Sequence, residues 1–285
     1  PVTRTAAPVA ANLCGTADPA TTVAIGMVVP SNPVTPPVGC YTYTQRALNQ
    51  AGSQTVLSVQ VRVDNTAPAG GSLTANGTAA ANVATQSYNG TGAWTVDSIP
   101  FADLESVPTN TIARSVATRL TNGTCSTFGT AVNTTITVPT STPESGLTAG
   151  CVRYILTGRN SLNVTAPTLT TIVRIDTSAP AGGAMTVNGT AATAGGASST
   201  SLTGTFSISA RTAMTDGQSL ITSSSLTRTY GLTCSTLDPA TANSYSGNTV
   251  INEVTLAPGC YRYEFTSING AGLSRSISTS VTVGP

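Results

Sequence analysis

The chain has 285 residues with a formal net charge of +1, only 8% of them charged, and it contains neither histidine nor lysine. Binding to nucleic acid or anionic lipid needs clustered positive charge, and the absence of any basic run therefore excludes nucleic acid as an expected partner. No apolar run reaches the roughly 18–20 residues that span a membrane, and the commonest general bases are missing, so neither a membrane span nor an enzyme is expected.

The first segment of the chain has the pattern of strands separated by turns. Leu57, Val59, Val61 and Val63 alternate with polar residues, which is the period of two of a half-buried strand. The residues before it predict a strand, a loop, a second strand and a turn: Val2–Ala11, the proline-rich stretch through Pro37, Tyr41–Arg46 and Asn49–Gly52.

Two later segments repeat each other in register. Asp64 opens Asp-Asn-Thr-Ala-Pro in one of them, and Asp176 opens Asp-Thr-Ser-Ala-Pro in the other. An Asn-Gly pair follows each, and this pair is typical of two-residue type I′ hairpin turns. Trp94 and Phe206 are separated by the same interval as the aspartates (206−94 = 176−64), lie in strand patterns and are expected in the core. Further strands are predicted at Ile112–Leu120 and Ser225–Tyr230.

Six cysteines follow the same repeat, because 40−14, 151−125 and 260−234 all equal 26. A period of about 110 residues with one internal cysteine spacing indicates three tandem units, 1–64, 65–176 and 177–285. We therefore expect three disulfides, each within one unit, and these are typical of an oxidising, extracytoplasmic setting. The expected pairs are Cys14–Cys40, Cys125–Cys151 and Cys234–Cys260.

The strand around Cys260 predicts where the bridges lie. Side chains alternate between the two faces of a strand, so Cys260 shares a face with Arg262 and Glu264, whereas Tyr261 and Tyr263 point to the other. We expect the disulfides on the outer face or edge of each unit, away from the core.

About seven short strands per unit and no convincing helix predict an all-β protein of tandem antiparallel β-sandwiches. Gly-Cys-Tyr-Arg-Tyr at 259–263, Asn-Gly-Ala-Gly at 269–272 and Asp-Thr-x-Ala-Pro resemble the immunoglobulin-like (Ig-like) repeats of large bacterial secreted and surface proteins. The resemblance implies stalks, adhesins and extracellular filaments, and no particular chemistry. The second unit has Asn160–Val164 in place of the glycine-rich turn, so a differently shaped turn is expected there.

The first unit is incomplete, because Pro1 aligns near Ile112 and nothing corresponds to residues 65–111. Such a unit would expose an apolar face and unpaired strand edges. Two explanations stay open. The chain is a window of a longer repeat array, or a neighbouring subunit supplies the missing strands and the subunits build a filament.

Acidic residues are the candidates for a catalytic or metal site. Asp97, Asp103 and Glu105 could suggest a glycosidase pair or a calcium site, but solvated loop carboxylates are the preferred explanation, since only Asp216 is present in the third unit. Asp64 and Asp176 are weak calcium candidates, and each is also a turn-forming residue. No catalytic residue, cofactor or other metal ligand is expected.

Asparagine sequons and aromatic residues provide the remaining candidates. Tyr41, Tyr43 and Trp94 could stack on sugars, but their strand patterns favour the core. Six sequons are glycosylation acceptors only in a eukaryotic or archaeal secretory route: Asn76, Asn89, Asn122, Asn133, Asn163 and Asn188.

Together these features predict an extracellular or cell-surface structural protein, a disulfide-linked Ig-like stalk or filament subunit. It would associate with itself or continue in a longer array. The alternative is an adhesin or phage-appendage module whose loops bind a glycan or a host surface protein.

Overall fold

The computed structural model describes residues 2–10, 13–25, 36–119, 122–137 and 139–284. These residues form strands and one 3₁₀ turn, Pro19–Thr21, and no α-helix. Among them, no helix is long and apolar enough to cross a membrane. Part of the predicted proline-rich loop, residues 26–35, and the predicted strand ends Ala11 and Leu120 lie outside the described ranges.

The first repeat (1–64) contains one four-stranded antiparallel sheet with strand order β4-β1-β5-β6. A small hairpin, β2–β3, carries the first cysteine. Its strands are β1 Val2–Ala7, β2 Val9–Ala10, β3 Leu13–Cys14, β4 Val23–Ala24, β5 Gly39–Leu48 and β6 Gln54–Val63.

The second repeat (65–176) contains two sheets, with orders β13-β10-β7-β8 and β12-β11-β14-β15-β9. Of the strand pairs described in the second repeat, only β9–β15 is parallel. The strands are β7 Ser72–Ala75, β8 Thr78–Ala79, β9 Thr85–Asn89, β10 Trp94–Ile99, β11 Thr109–Ala117, β12 Val132–Ile136, β13 Thr140–Glu144, β14 Ala149–Arg159 and β15 Leu169–Asp176.

The third repeat (177–285) has the same plan, with sheets β18-β17-β20-β24 and β19-β26-β25-β22-β23 and a short pair β16-β21. The strands are β16 Ala181–Ala184, β17 Thr186–Val187, β18 Thr190–Ala191, β19 Ser198–Ser201, β20 Phe206–Ile208, β21 Thr212–Thr215, β22 Ile221–Gly231, β23 Leu237–Tyr245, β24 Ile251–Glu253, β25 Gly259–Asn269 and β26 Ser274–Val283.

The strand order of the second and third repeats is that of an Ig-like sandwich. In the second repeat the chain passes from β10 in one sheet to β11 and β12 in the other, returns with β13, and crosses again to β14 and β15. Two antiparallel sheets joined by such crossings define this fold, so the predicted fold class is confirmed.

Each complete sandwich encloses its own apolar core between its two sheets. Trp94 in the second repeat and Phe206 in the third are both about 7% exposed and occupy equivalent places. The equivalence is set by register, because Trp94 pairs with Glu144 on β13 and Phe206 pairs with Glu253 on β24. The prediction that these aromatics are buried is confirmed.

The three expected disulfides are present, each with a sequence separation of 26. Cys40, Cys151 and Cys260 are at most 1% exposed, yet none belongs to either core cluster. They lie on the face of the strand opposite the core tyrosines, as alternation predicts. The bridges therefore tie the cysteine loops to the outer face of each sheet.

The Asn-Gly hairpins form where the sequence predicts them. Asn76 and Gly77 both have positive φ angles, 50° and 69°, as do Asn188 and Gly189 at 49° and 74°. Two successive positive φ angles are what a type I′ turn requires.

The prediction of a differently shaped turn in the second repeat is wrong. The Asn160 N–H donates to the Val164 carbonyl at 3.0 Å, and the equivalent Asn269 N–H donates to the Leu273 carbonyl at 2.9 Å. The left-handed position is occupied by Asn163 with φ 71° in one turn and by Gly272 with φ 81° in the other. Asparagine tolerates this conformation better than most residues, so the turn keeps its shape without glycine.

The inner face of the first repeat's sheet, formed by Tyr41, Tyr43, Leu57, Val59 and Val61, is not covered by a second sheet of the described residues. Val59 and Val61 are 59% and 38% exposed. Their counterparts in the second repeat, Thr171 and Val173, are fully buried. Among the described residues, this apolar face is therefore more exposed than its counterpart in the second repeat.

Candidate functional site at the repeat junctions

The most elaborate polar sites lie where one repeat ends and the next begins. Asp64 follows the last strand of the first repeat, and Asp176 ends the last strand of the second. These aspartates are only 4% and 0% exposed. A buried carboxylate is costly unless it is hydrogen-bonded, so the groups around each aspartate define the site.

Asp64 is held mainly by the second repeat. Its Oδ2 accepts hydrogen bonds from the Ser106 hydroxyl at 2.7 Å and the Asn160 amide nitrogen at 2.9 Å. Its Oδ1 accepts from the Thr66 backbone N–H at 3.2 Å and the Thr66 hydroxyl at 3.0 Å. Asp64 therefore forms the expected turn and also binds the next repeat.

Asp176 is held in the same way by the third repeat. Its Oδ2 accepts from the Ser219 hydroxyl and from the Asn269 amide nitrogen, the latter at 3.1 Å. Its Oδ1 accepts from the Ser178 backbone N–H at 3.0 Å. Asn269 also donates to Asp216 Oδ2 at 2.9 Å. The two junctions thus use equivalent aspartate, serine and asparagine residues.

The turn that contains each asparagine orients it toward the junction. The Asn160 side-chain oxygen accepts from the backbone N–H groups of Leu162 and Val164, at 3.1 and 2.9 Å. The Asn269 oxygen accepts from Ala271 and Leu273 at 3.1 and 2.9 Å. Because the turn fixes the oxygen, the amide N–H₂ group is directed at the aspartate of the preceding repeat.

The role of these serines and asparagines was not predicted from the sequence, although a signal existed. Asn160 and Asn269 are separated by the same interval as the second cysteines of their repeats (269−160 = 260−151). Ser106 and Ser219 are likewise about one repeat apart (219−106). Short polar residues are common in turns, so this spacing alone did not distinguish them from ordinary loop positions.

Asp216 is not alone, contrary to our expectation. It occupies the place of Asp103, at the interval that also separates Ser219 from Ser106 (216−103 = 219−106). Its Oδ1 accepts from the backbone N–H groups of Gln218 and Ser219 at 2.8 and 2.9 Å. Burial opposes its ionisation, but the hydrogen bonds from Asn269, Ser219 and Gln218 outweigh burial and lower the pKa of Asp216.

The first junction brings three carboxylates together. Oxygen atoms of Asp64, Asp103 and Glu105 lie within 4.8 Å of one another. Asp103 Oδ2 is buried with no hydrogen-bond partner among the described residues. In the second junction Gln218 stands at the place of Glu105, which leaves two carboxylates. Calcium binding at Asp64 and Asp176 stays a prediction, to be checked by following the melting temperature of metal-free protein as Ca²⁺ is added.

Asp97 is not part of this cluster. It lies on β10, exposed, and faces Thr74 and Ser141 on the neighbouring strands. Asp97 therefore does not lie beside Asp103 and Glu105, as their closeness in sequence suggested. Asp97 also forms no pair of facing carboxylates with them of the kind that glycoside hydrolysis uses.

Close backbone approach joins the second and third repeats beside the junction. A Cβ atom on Gly90 would lie 3.0 Å from the Ala271 carbonyl oxygen, and one on Gly270 would lie 3.2 Å from the Tyr88 ring. Arg174 donates to the Tyr88 hydroxyl at 3.1 Å and its guanidinium lies 5.5 Å from the ring centre. At both positions the lack of a side chain allows the two repeats to approach this closely.

A second polar constellation lies inside each complete sandwich. In the second repeat Glu144 of β13 accepts from Arg114 at 2.6 and 3.1 Å and from the Tyr154 hydroxyl at 2.8 Å. Because Glu144 belongs to one sheet and its partners to the other, the group ties the two sheets together.

The third repeat has the same constellation around Glu253 of β24. Arg228 donates to Glu253 at 2.8 Å, and the hydroxyls of Tyr263 and Tyr245 donate at 3.1 and 2.5 Å. These glutamates were not predicted from the sequence either, although each precedes the second cysteine of its repeat by the same interval (151−144 = 260−253).

The aromatic candidates for sugar stacking are buried or half-buried. Trp94 and Tyr41 are each about 7% exposed, and Tyr43 is half-buried. The Tyr41 hydroxyl donates to the Pro37 carbonyl at 2.9 Å.

The sequons fall into two groups. Three asparagines use their side-chain N–H₂ in internal hydrogen bonds, namely Asn76, Asn89 and Asn188. The other three are exposed, namely Asn122, Asn133 and Asn163. Glycosylation stays a prediction, limited to the exposed group, and intact mass of the native protein checks it.

Comparison with models of known protein families finds no match, and comparison with curated protein sequences also finds none. Among solved structures, a 1.5-MDa bacterial ice-binding adhesin matches at 16% identity and TM-score 0.36, over 86% of this chain and 74% of that one. Fibronectin(III)-like modules of Clostridium thermocellum CbhA match at 11% and 0.33, over 74% and 94%. The chicken CNTN1 FN1–FN3 domains match at 11% and 0.32, over 87% and 77%.

Proposed function

We propose that this protein is an extracellular or cell-surface structural protein, a stalk or filament subunit that transmits force through Ig-like repeats. The observation that carries the proposal is the burial of Asp64 and Asp176 in equivalent hydrogen-bonded sites of the following repeat. A flexible linker would leave such a residue exposed. Self-association or continuation in a longer array belongs to the same proposal.

Two further features support a mechanical role. Each disulfide closes a loop with a sequence separation of 26 residues. Because the closed loop restricts the unfolded chain, each bridge is expected to raise the free energy of unfolding of its domain by about 3 kcal/mol. In each complete sandwich a glutamate also links the two sheets, the half-buried Glu144 in one and the buried Glu253 in the other. Disulfides form and persist in oxidising compartments, and this supports a location outside the cell.

The test is whether the second and third repeats move as one body. We expect similar rotational correlation times for both repeats of the intact chain by NMR relaxation. Asp176→Ala and Asn269→Ala should uncouple them, because each leaves a buried polar partner unpaired. Asn49→Ala is the matched control, because Asn49 forms the same turn in the first repeat and no aspartate among the described residues bonds its amide nitrogen.

Independent tumbling of the two repeats in the unmodified chain would contradict the stalk proposal. A saturable ligand on a glycan array would instead favour the alternative, an adhesin or phage-appendage module that binds through its loops.

A further inference from the structure

Three arginines gather on the outer face of the second repeat's five-stranded sheet, beside the junction with the third repeat. Arg174 on β15 pairs with Cys151 on β14, and Arg153 lies two residues further along β14 on the same face. Residues placed in this way are diagonal neighbours, and their long side chains are within reach of each other. Arg119 follows β11 and donates to the Ile175 carbonyl at 3.2 Å, which brings it to the same end of the sheet.

Two aromatic rings support these guanidinium groups. The centre of the Tyr88 ring lies 5.3 Å from the Arg119 guanidinium and 5.5 Å from that of Arg174. The centre of the Phe128 ring lies 4.4 Å from the Arg153 guanidinium. An arginine held on an aromatic ring has already lost part of its conformational freedom, so the positive charges are pre-organised before a ligand binds.

No side-chain carboxylate neutralises this cluster. The chain's 11 aspartates and glutamates all lie within the described residues, and none forms an ion pair with Arg119, Arg153 or Arg174. The closest carboxylate along β15 belongs to Asp176, which is bound by Asn269 of the third repeat. Arg153 also forms no hydrogen bond among the described residues. Its Nε is buried without a partner, whereas its two terminal nitrogens are accessible to a ligand.

The third repeat has the same fold without this cluster. Arg262 occupies the place of Arg153, two residues after the second cysteine, but its guanidinium lies 3.7 Å from the Glu264 carboxylate. Thr282 occupies the place of Arg174, opposite the second cysteine. The arginine cluster is therefore a property of the second repeat and not a requirement of the fold.

We propose that this face binds an acidic polysaccharide, whose carboxylate or sulfate groups pair with Arg153 and Arg174. A guanidinium presents its N–H groups as a planar fork that fits such oxyanions. Short or polar side chains that face outward beside the arginines supply hydrogen bonds for sugar hydroxyls, namely Gln86, Thr157 and Thr170. This binding site goes beyond the proposed stalk function and does not depend on it.

An acidic protein partner fits this face less well. Protein interfaces depend on apolar and aromatic anchors at their centre, where charged residues are depleted. Here the centre is charged, and none of the exposed large apolar side chains among the described residues lies on β14 or β15. A polysaccharide presents repeated charges and hydroxyl groups and requires no such anchor, so its chemistry matches this face.

The probes are dextran sulfate, which carries sulfate, and polygalacturonate, which carries carboxylate, with unmodified dextran as the neutral polymer. We expect the full chain to bind one or both acidic polymers and not dextran in biolayer interferometry, and the preferred polymer identifies the anion. Arg153→Gln should weaken binding about tenfold or more, because it removes charge-assisted hydrogen bonds, and Arg174→Gln should do the same. Arg275→Gln is the matched control. It removes the same charge from an exposed position on β26 of the third repeat and should leave binding unchanged.

Several results would overturn the proposal. They are absence of binding to both acidic polymers, binding that Arg153→Gln leaves unchanged, or equal losses from Arg153→Gln and Arg275→Gln. Equal affinity for duplex DNA or for vesicles of anionic lipid would show a general attraction to polyanions and would also overturn it. Circular dichroism establishes that each variant is folded. Unchanged rotational correlation times of the second and third repeats separate a loss of binding from a loss of coupling at the junction.

Discussion

At the scale of single residues, the second repeat depends on Trp94. Its ring fills the core, but its indole N–H is buried with no hydrogen-bond partner among the described residues. Phe206 has the same place in the third repeat without an N–H. The contribution of Trp94 to stability therefore comes from apolar packing and not from hydrogen bonding.

Trp94→Ala is expected to lower the free energy of unfolding of the second repeat by about 3–5 kcal/mol, because it leaves a cavity in the core. Trp94→Phe is the matched control. It should stay within about 1.5 kcal/mol of wild type, because it keeps a ring and removes an unpaired polar group. Urea unfolding of the full chain checks both, and an unchanged midpoint for Trp94→Ala would contradict the core position.

At the scale of elements, a salt bridge joins the two sheets of each complete sandwich, Arg114–Glu144 in the second repeat and Arg228–Glu253 in the third. Burial opposes ionisation of Glu144, but the hydrogen bonds from Arg114 and Tyr154 outweigh burial, so the pKa of Glu144 lies below its usual value. Burial and the Glu144 hydrogen bond raise the pKa of Tyr154, which keeps its hydroxyl as a donor. Strands β13, β11 and β14 are thereby held in one arrangement.

The Arg114–Glu144 salt bridge makes the stability of the second repeat sensitive to acid. A carboxyl group whose pKa is lower in the folded than in the unfolded state stabilises the fold at pH values above its unfolded-state pKa. This stabilisation is lost as the pH falls through the folded-state pKa. We expect the melting temperature of the second repeat to fall as the pH drops below about 4.5. Glu144→Gln should lower stability at pH 7 by about 1–3 kcal/mol and reduce this acid dependence.

The melting temperature of the full chain is measured between pH 7 and pH 3. Hydrogen exchange over the same pH range then shows whether the change lies in the second repeat. Asp97→Asn is the control, since Asp97 is exposed on the outer face of β10. Identical pH profiles for wild type and Glu144→Gln would show that the salt bridge does not contribute.

At the scale of the whole molecule, stability is unequal along the chain. The second and third repeats each bury a core between two sheets, whereas no core cluster of the described residues lies in the first repeat. A single sheet with one exposed apolar face buries little surface, so its disulfide carries a larger share of its stability.

Removing the Cys14–Cys40 bridge by a double change to alanine is expected to unfold the first repeat. Removing Cys125–Cys151 in the same way should destabilise the second repeat by about 3 kcal/mol and leave it folded. Hydrogen exchange resolved by peptide distinguishes the repeats. Retained protection of β5 and β6 without Cys14–Cys40 would refute the dependence on the bridge.

The sequence alone determined the features that are local or periodic. The Asn-Gly pairs predicted two hairpins and alternation assigned Cys260 and Tyr261 to opposite faces, because each depends on neighbours within one element. The cysteine spacing predicted the disulfides because it recurs in every repeat. Only the tertiary structure decided which distant polar groups meet. Asp64 and Asn160 are 96 residues apart and Asp176 and Asn269 are 93 apart, and they meet because the end of one repeat packs against a turn of the next. Glu144 reaches Arg114 because two sheets close over one core, a packing that no local pattern encodes.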